Sequence, residues 1–211
     1  MDYSFKKILK GYRLFRKKYV QGETSVMQLL SRHGQQPRIM VVACCDSRVD
    51  PAVIFQCDPG DLFVVRNVAN IVPPYEKGCE QYSTQHGTSA ALEFGINFLK
   101  VKNLIILGHS QCGGIESLLK GKQFPSNDFI TNWVSLIKAG AGTYHTADDY
   151  AKWALTESYR NSMTFPWIKE RVLHNKLVIH LWFFDIKTGK IFMYSEKQNN
   201  YQPLDDIHSF K

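Results

Sequence analysis

Apolar residues recur in two patterns along the chain, one typical of helices and one typical of buried strands. At the N-terminus they have helical spacing, which predicts amphipathic helices over about 3–18 and 24–32, the second ended by Gly34. Three later stretches are short and continuously apolar, the pattern of strands that are buried on both faces. They comprise residues 38–44, 61–66 and 103–108.

The order of these stretches predicts an α/β fold. Residues 88–99 have helical periodicity and lie between the second and third strands, which is the strand–helix–strand order of a parallel sheet. The chain then favours helices to about residue 171 and returns to strands at 176–185 and 190–194, joined by a turn that ends in Gly189. We therefore predict a mostly parallel central β-sheet flanked by helices.

Length and composition restrict the class of protein. The 211 residues contain 44% hydrophobic and 21% charged residues, which matches a globular chain. No apolar run is long enough to span a bilayer and the first residues lack the apolar segment of a signal peptide, so we expect a cytoplasmic protein with no membrane partner. No repeat or linker divides the chain, which predicts a single domain with an N-terminal helical arm at 1–34 and an α/β core at 35–211.

Basic residues give the chain a formal net charge of +7, a feature that it shares with many nucleic-acid-binding proteins. They are spread along the chain and are densest between Lys6 and Lys18, where they alternate with apolar residues at helical spacing. This arrangement is typical of the solvated face of an amphipathic helix, and we predict no nucleic-acid partner. An RNA-binding or lipid-binding arm is the alternative.

Five cysteines in a chain without an export signal favour metal binding or catalysis over a disulfide framework. Cys44 ends the first predicted strand, and His109 and Cys112 follow the third. Because the carboxyl ends of neighbouring parallel strands share one edge of a sheet, we expect these three side chains to meet. Two thiolates and an imidazole suit Zn2+, and three protein ligands leave a fourth position for water, as in catalytic zinc sites.

Residues beside these ligands have the chemistry to support a nucleophile on the metal. We expect the Asp46 carboxylate to accept a hydrogen bond from the bound water or hydroxide, and Arg48 to keep that carboxylate ionised and oriented. Asp46 is also a candidate fourth metal ligand, and in that position it would close the site. Cys45 points to the opposite side of the strand from Cys44, so we interpret Cys45 as a packing residue.

Three further residues are candidates for binding substrate or transferring protons. Gly113, together with Gly114, opens the next predicted helix and lets the amide-bearing end of that helix approach the site, where an anion is favoured. His86 and Tyr82 lie in the predicted loop before the helix at 88–99 and are candidates to carry the proton to buffer, since an imidazole with a pKa of about 6.5 suits that transfer.

Segments 43–49 and 108–114 together resemble the paired signature of β-carbonic anhydrases, Cys-x-Asp-Ser-Arg and His-x-x-Cys. The resemblance implies reversible, zinc-dependent hydration of carbon dioxide to bicarbonate and a proton, with zinc hydroxide attacking the carbon. It also implies a homodimer or tetramer in which the N-terminal helices extend onto a partner subunit. The likeness runs from about residue 20 to residue 205 and includes further landmarks of the family at 63–70, 164–167 and 182–185.

The chain is similar in particular to the plant-like branch of that family. By position, Gln35 corresponds to a glutamine that binds substrate, and Phe63 and Phe94 correspond to an aromatic pair that walls the pocket. That branch commonly has Tyr where this chain has Phe94, so we expect a more apolar wall. A second, allosterically regulated branch has Trp at the position of Gln35, so its bicarbonate-inhibition pocket is not expected here.

Two other functions stay open at this point. One keeps the site and takes carbon disulfide or carbonyl sulfide as the substrate. The other is a non-catalytic module whose zinc is structural and permanently bound by four protein ligands. A redox role for Cys44 and Cys45 is weaker, because vicinal cysteines form only a strained ring.

Overall fold

The computed structural model describes residues 2–76, 86–119, 129–137 and 146–204. Within these residues, six strands form one sheet in the order β2-β1-β3-β4-β5-β6. The strands are β1 (Ile39–Cys44), β2 (Leu62–Asn67), β3 (Asn103–His109), β4 (Val178–Phe184), β5 (Ile191–Ser195) and β6 (Asn200–Pro203). The helices are α1 (Tyr3–Tyr19), α2 (Val26–His33), α3 (Pro51–Ile54), α4 (His86–Glu93), α5 (Gly113–Leu119), α6 (Ile130–Val134), α7 (Ala147–Ser162) and α8 (Pro166–Leu173).

Parallel pairing dominates the sheet, and the predicted α/β class is confirmed. β1 pairs in parallel with β2 on one side and β3 on the other, and β3 pairs in parallel with β4. β5 and β6 run antiparallel along one edge. The predicted strands match the observed ones to within one or two residues. β6 was not predicted, because its four residues include Asn200 and Pro203 and have no apolar alternation.

The predicted helices of the N-terminal half are present with small shifts. Gly34 ends α2 with a φ of 71°, the left-handed conformation that glycine adopts without steric cost. The helix predicted over 88–99 is α4 followed by a π-helical turn, Phe94–Phe98. Gly95 in this turn lies so close to β1 that a Cβ there would be 2.7 Å from Met40 Sδ. The turn therefore packs directly on the sheet.

The strands β1 and β3 are buried on both faces, which explains their continuous apolar sequences. On one face, alternate residues pack in the main core with Leu155 of α7 and Ile168 of α8; these residues are Met40, Val42, Leu104 and Ile106. The residues between them form a second cluster on the opposite face, Val41, Ala43, Ile105 and Leu107. Every residue of β1 and β3 after the first is thus buried.

The helix α1 has no buried residue. Its C-terminal end contacts the loop before β2, where Lys18 and Tyr19 donate hydrogen bonds to Asp58. Among the helices described, none is both long and apolar enough to cross a membrane. The large apolar side chains that α1 exposes are Tyr3, Phe5, Ile8, Tyr12, Leu14 and Phe15.

The start of α5 packs against the turn that follows β2. A Cβ on Gly114 would lie 2.9 Å from Val68 Cγ1 and 3.2 Å from Ala69 Cβ, whereas a Cβ on Gly113 would meet no atom within 4 Å. Gly114 therefore packs tightly against this turn, whereas Gly113 has room for a side chain.

We expect Gly114→Ala to lower the free energy of unfolding by about 1–3 kcal/mol, since the added methyl overpacks this contact. Gly113→Ala is the matched control and should leave stability unchanged or raise it by up to about 1 kcal/mol, because alanine favours helices. Urea unfolding of both variants measures the difference. Equal losses for the two variants would contradict the packing argument.

Candidate metal centre

The two segments that carry the predicted metal ligands emerge from adjacent parallel strands. β1 ends at Cys44 and β3 ends at His109, so both residues reach the same edge of the sheet. The chain then reverses at Gln111, which has a φ of 55°, and Cys112 follows immediately before α5. This reversal of the backbone brings the side chain of Cys112 close to those of Cys44 and His109.

The structure brings Cys44, His109 and Cys112 into one buried cluster. One potential ligand atom from each residue lies within 4.8 Å of the other two. A ring nitrogen of His109, Nδ1, lies 2.9 Å from the carbonyl oxygen of Ser110, so Nδ1 carries the proton and donates it. The other nitrogen, Nε2, is buried and has no hydrogen-bond partner among the described residues. A buried lone pair beside two thiols fits a zinc ion well.

The two thiols of the cluster share their protons unequally. Cys112 forms a side-chain hydrogen bond with Cys44, and this bond lowers the pKa of Cys44 to about 4. The same hydrogen bond and burial raise the pKa of Cys112. One thiolate is therefore present at neutral pH before any metal binds, and the second forms only when the proton on Cys112 is displaced.

Asp46 and Arg48 form a two-pronged ion pair next to the cluster. Arg48 Nε donates to Asp46 Oδ1 at 2.9 Å and Arg48 Nη2 donates to Asp46 Oδ2 at 2.6 Å, while the Arg48 backbone amide also donates to Oδ1. These bonds hold the pKa of the Asp46 carboxyl well below its usual range. Arg48 Nη2 also donates to the carbonyl oxygen of Gln111 at 3.2 Å. Arg48 therefore joins the segment after β1 to the segment after β3.

The segment after β3 is anchored to two further elements. The Gln111 amide donates to Asp148 Oδ1 in α7 at 2.9 Å. Ser110 Oγ accepts from the Ile186 amide at 2.9 Å and donates to Asp185 Oδ1 at 3.3 Å. Sequence reasoning missed these anchors, because they join residues that are far apart in the chain.

Arg66 and Asp50 were also missed by the sequence reasoning. Arg66 lies on β2 and donates hydrogen bonds to the carbonyl oxygens of Cys44 and Asp46 and to the Asp50 carboxylate. The available signal was a charged residue near the end of a strand that is otherwise apolar. Its partners depend on the register between β1 and β2, which the sequence pattern does not specify.

Phe63 and Phe94, the predicted pocket wall, are brought together by the structure. Their ring centroids lie 5.8 Å apart, and Phe94 stacks in turn on Phe98 at 5.8 Å. Phe94 is 43% exposed, so its ring has a free face in the single chain. Gln35 is exposed in the segment between α2 and β1, and no described hydrogen bond links it to the cluster.

Other predicted residues have different outcomes. Tyr82 lies outside the described residues, and His86 begins α4 but its side chain is not described. The interpretation of Cys45 as a packing residue was wrong, because its side chain is exposed. Its amide continues the pairing with β2 by donating to Asn67 at 2.9 Å. The residue thus lies one step beyond β1, and its side chain is exposed there.

Comparison with known proteins decides the family. The family model described as "Carbonic anhydrase" matches residues 39–191, which include all three residues of the cluster. "Beta carbonic anhydrase 5, chloroplastic" of Arabidopsis thaliana is 39% identical over 163 residues, which cover 72% of this chain. The chain belongs to the β-class carbonic anhydrases.

Other relatives extend the comparison over most of the chain. A carbonic anhydrase of Synechocystis sp. is 32% identical over 199 residues, covering 89% of this chain and 70% of that protein. The solved structure of the β-carbonic anhydrase CcaA has a TM-score of 0.82 at 28% identity and covers 96% of this chain and 92% of the other. The match to the Arabidopsis carbonic anhydrase spans only 52% of that protein's length.

We expect Cys44→Ser to lose bound zinc, because serine removes one of the two thiolate donors that zinc prefers. Cys45→Ser changes the neighbouring cysteine, which is exposed and lies outside the cluster, and it should keep stoichiometric zinc. Elemental analysis after dialysis against a chelator measures the zinc content. Loss of zinc from both variants, or from neither, would contradict this assignment of ligands.

Zinc binding between pH 5.5 and 6.5, below the pKa of about 7 expected of a coordinated water, should release about one proton from the thiol pair. In this range Cys44 is already a thiolate, because its pKa is lowered to about 4, whereas the raised pKa of Cys112 keeps that thiol protonated. The apparent zinc affinity should therefore rise about tenfold for each pH unit. Calorimetric titration in buffers of different ionisation enthalpy counts the protons. Release of two would show that both thiols are protonated in the zinc-free protein.

Proposed function

We propose that this chain is a zinc-dependent enzyme that catalyses the reversible hydration of carbon dioxide to bicarbonate and a proton. The observation that carries the proposal is the buried cluster of two thiols and His109 Nε2, which has no hydrogen-bond partner among the described residues, next to the ion pair of Asp46 with Arg48. Membership of the β-class carbonic anhydrases supports the reaction and the metal. A zinc ion bound by the cluster would lower the pKa of a coordinated water to about 7 and so supply hydroxide at neutral pH.

The residues of this chain have separate tasks in the proposed reaction. Cys44, His109 and Cys112 hold the metal. Asp46 would accept a hydrogen bond from the nucleophile with the lone pair of Oδ2 that Arg48 leaves free, and so orient it towards the carbon. Because its pKa is so strongly depressed, Asp46 remains an acceptor at neutral pH and does not itself keep the released proton.

Binding of substrate and transfer of the proton are assigned to other residues of the chain. The rings of Phe63 and Phe94 form an apolar wall that suits carbon dioxide, which has no net dipole. Gln35 and the amide of Gly113 are assigned to substrate binding, and His86 with Tyr82 to transfer of the proton to buffer. These four assignments rest on the family resemblance and on position in the sequence.

We expect Asp46→Asn to keep zinc but lower kcat by about 100-fold, because an amide pairs poorly with Arg48 and orients the nucleophile less well. Glu170→Gln makes the same chemical change at an exposed carboxylate on α8 and should leave kcat unchanged. Stopped-flow hydration of carbon dioxide, with zinc measured on the same samples, checks both variants.

The same assay separates the proposed function from its alternatives. A wild-type protein with full zinc that hydrates neither carbon dioxide nor the related linear sulfides would favour the structural zinc module. Turnover of carbon disulfide or carbonyl sulfide without hydration of carbon dioxide would move the assignment to those substrates.

We also infer that the chain acts as a homodimer or tetramer, with residues 1–34 as an arm that packs on a partner subunit. In the single chain α1 buries no residue and exposes apolar side chains along one face, including Phe5, Ile8 and Tyr12. A solved relative from Sordaria macrospora, described as a tetrameric β-carbonic anhydrase, has a TM-score of 0.75 at 27% identity and covers 91% of this chain and 97% of its own. A cytoplasmic location stays a prediction, since one relative is named as chloroplastic.

We expect Ile8→Glu to shift the protein to a smaller assembly, because it places a charge in the proposed apolar contact. Lys10→Glu introduces the same residue on the opposite, basic face of α1 and should keep the assembly of the wild type. Sedimentation velocity at matched concentrations measures the difference. An unchanged mass for Ile8→Glu would show that α1 does not contribute to the interface.

A further inference from the structure

We propose that Arg66 and Asp50 form a clamp that fixes the segment between β1 and α3, and that Arg66 is thereby a positioning residue for the reaction. The segment begins directly after Cys44, the last residue of β1 and a member of the metal cluster, and it contains Asp46, the proposed acceptor for the nucleophile. The inference rests on the proposed function, and it concerns a side chain that contacts neither the cluster sulfurs nor the Asp46 carboxylate in any described hydrogen bond.

The guanidinium of Arg66 makes one hydrogen bond at each of three points along the segment. Nε donates to the Cys44 carbonyl oxygen at 2.9 Å, and Nη2 donates to the Asp46 carbonyl oxygen at 2.8 Å. Nη1 donates to Asp50 Oδ2 at 2.7 Å. One rigid, planar group therefore sets the distance between the backbones of the first ligand and the acceptor.

Asp50 connects this clamp to α3. Its other oxygen, Oδ1, caps the helix by accepting from the Ala52 amide at 3.0 Å and the Val53 amide at 3.4 Å. Oδ2 accepts from Arg66. The segment is consequently held at its start by β1, at its end by the capped helix, and in its middle by Arg66.

The location of Arg66 indicates that these contacts are its main purpose. It lies opposite Ala43 in the parallel register of β1 and β2, close to the edge where the cluster forms. Its side chain is only 27% exposed. Partial burial of a guanidinium is costly unless its donors are satisfied, and here each of its three nitrogens donates to this one segment.

Removal of the clamp should change the position of Asp46 relative to the metal more than it changes the affinity for the metal. Asp46 keeps its bonds to Arg48, so the ion pair survives, but its backbone loses the donor that ties it to Cys44. A displacement of about 1 Å in a catalytic group can lower a rate by about 100-fold. The expected signature is a lower kcat at full zinc occupancy with little change in KM.

The test compares Arg66→Met, Arg66→Lys and Asp50→Asn with Arg160→Met as the matched control. Methionine keeps the apolar stem and removes all donors, whereas lysine restores a single positive donor. Arg160 is also paired with a carboxylate, Glu157, but within α7, and the Arg160 side chain is 56% exposed. Each protein is assayed for zinc content, urea midpoint, and kcat and KM for carbon dioxide. The cobalt-substituted forms are examined by absorption spectroscopy, which reports on the geometry of the thiolate-bound metal.

We expect Arg66→Met to keep zinc and a cooperative urea transition, to lose about 10- to 100-fold in kcat, and to alter the cobalt spectrum. Arg66→Lys should recover part of the loss, Asp50→Asn should lose less, and Arg160→Met should match the wild type. If Arg66→Met does not fold, Arg66→Lys and Asp50→Asn decide the question, since both keep most of the packing.

Two results would overturn the clamp. One is a zinc-loaded, folded Arg66 variant with wild-type kcat and an unchanged cobalt spectrum. The other is a loss of activity in strict proportion to lost zinc or unfolded protein, which would leave Arg66 with a purely structural role. A fully zinc-loaded wild type that does not hydrate carbon dioxide would refute the proposed function instead, and the cobalt spectra would still decide whether Arg66 positions the segment.

Discussion

The parallel pairing of β1 with β3 is the constraint on which the rest of the site depends. Neighbouring strands lie only about 4.8 Å apart, so the ends of β1 and β3 bring Cys44 and His109 close together. Because both strands are buried on both faces, neither can slip in register without exposing an apolar surface. The geometry of the cluster is therefore inherited from the sheet.

Electrostatics complement this geometry. Two buried thiolates would repel each other, and without a metal the cluster avoids that cost by retaining one proton. A divalent cation bound by two thiolates would form a group with no net charge. Charges that are paired in this way are tolerated in a protein core. Arg48 likewise balances the charge of Asp46, so this carboxylate can lie near the thiolates without adding net negative charge to the site.

Much of the fold and the metal cluster followed from local sequence, and the remainder depended on contacts between distant residues. Continuous apolar runs identified β1 and β3, and the end of each run pointed to Cys44 and His109. The exposure of Cys45 depends on which helices cover the sheet edge, which periodicity does not reveal. The bonds of Arg66 likewise depend on the register of β2. Local patterns thus predict the ligands better than the groups that hold them.

The exposed helix α1 has a consequence for folding. An isolated helix of its length is marginally stable in water, and α1 gains no stability from burial against its own chain. The bonds of Lys18 and Tyr19 to Asp58 hold only its final turn. Its helical content should therefore depend on a surface that covers it, and if that surface is a second copy, dilution would fray the arm while the sheet stays intact. Order at the N-terminus would then vary with protein concentration.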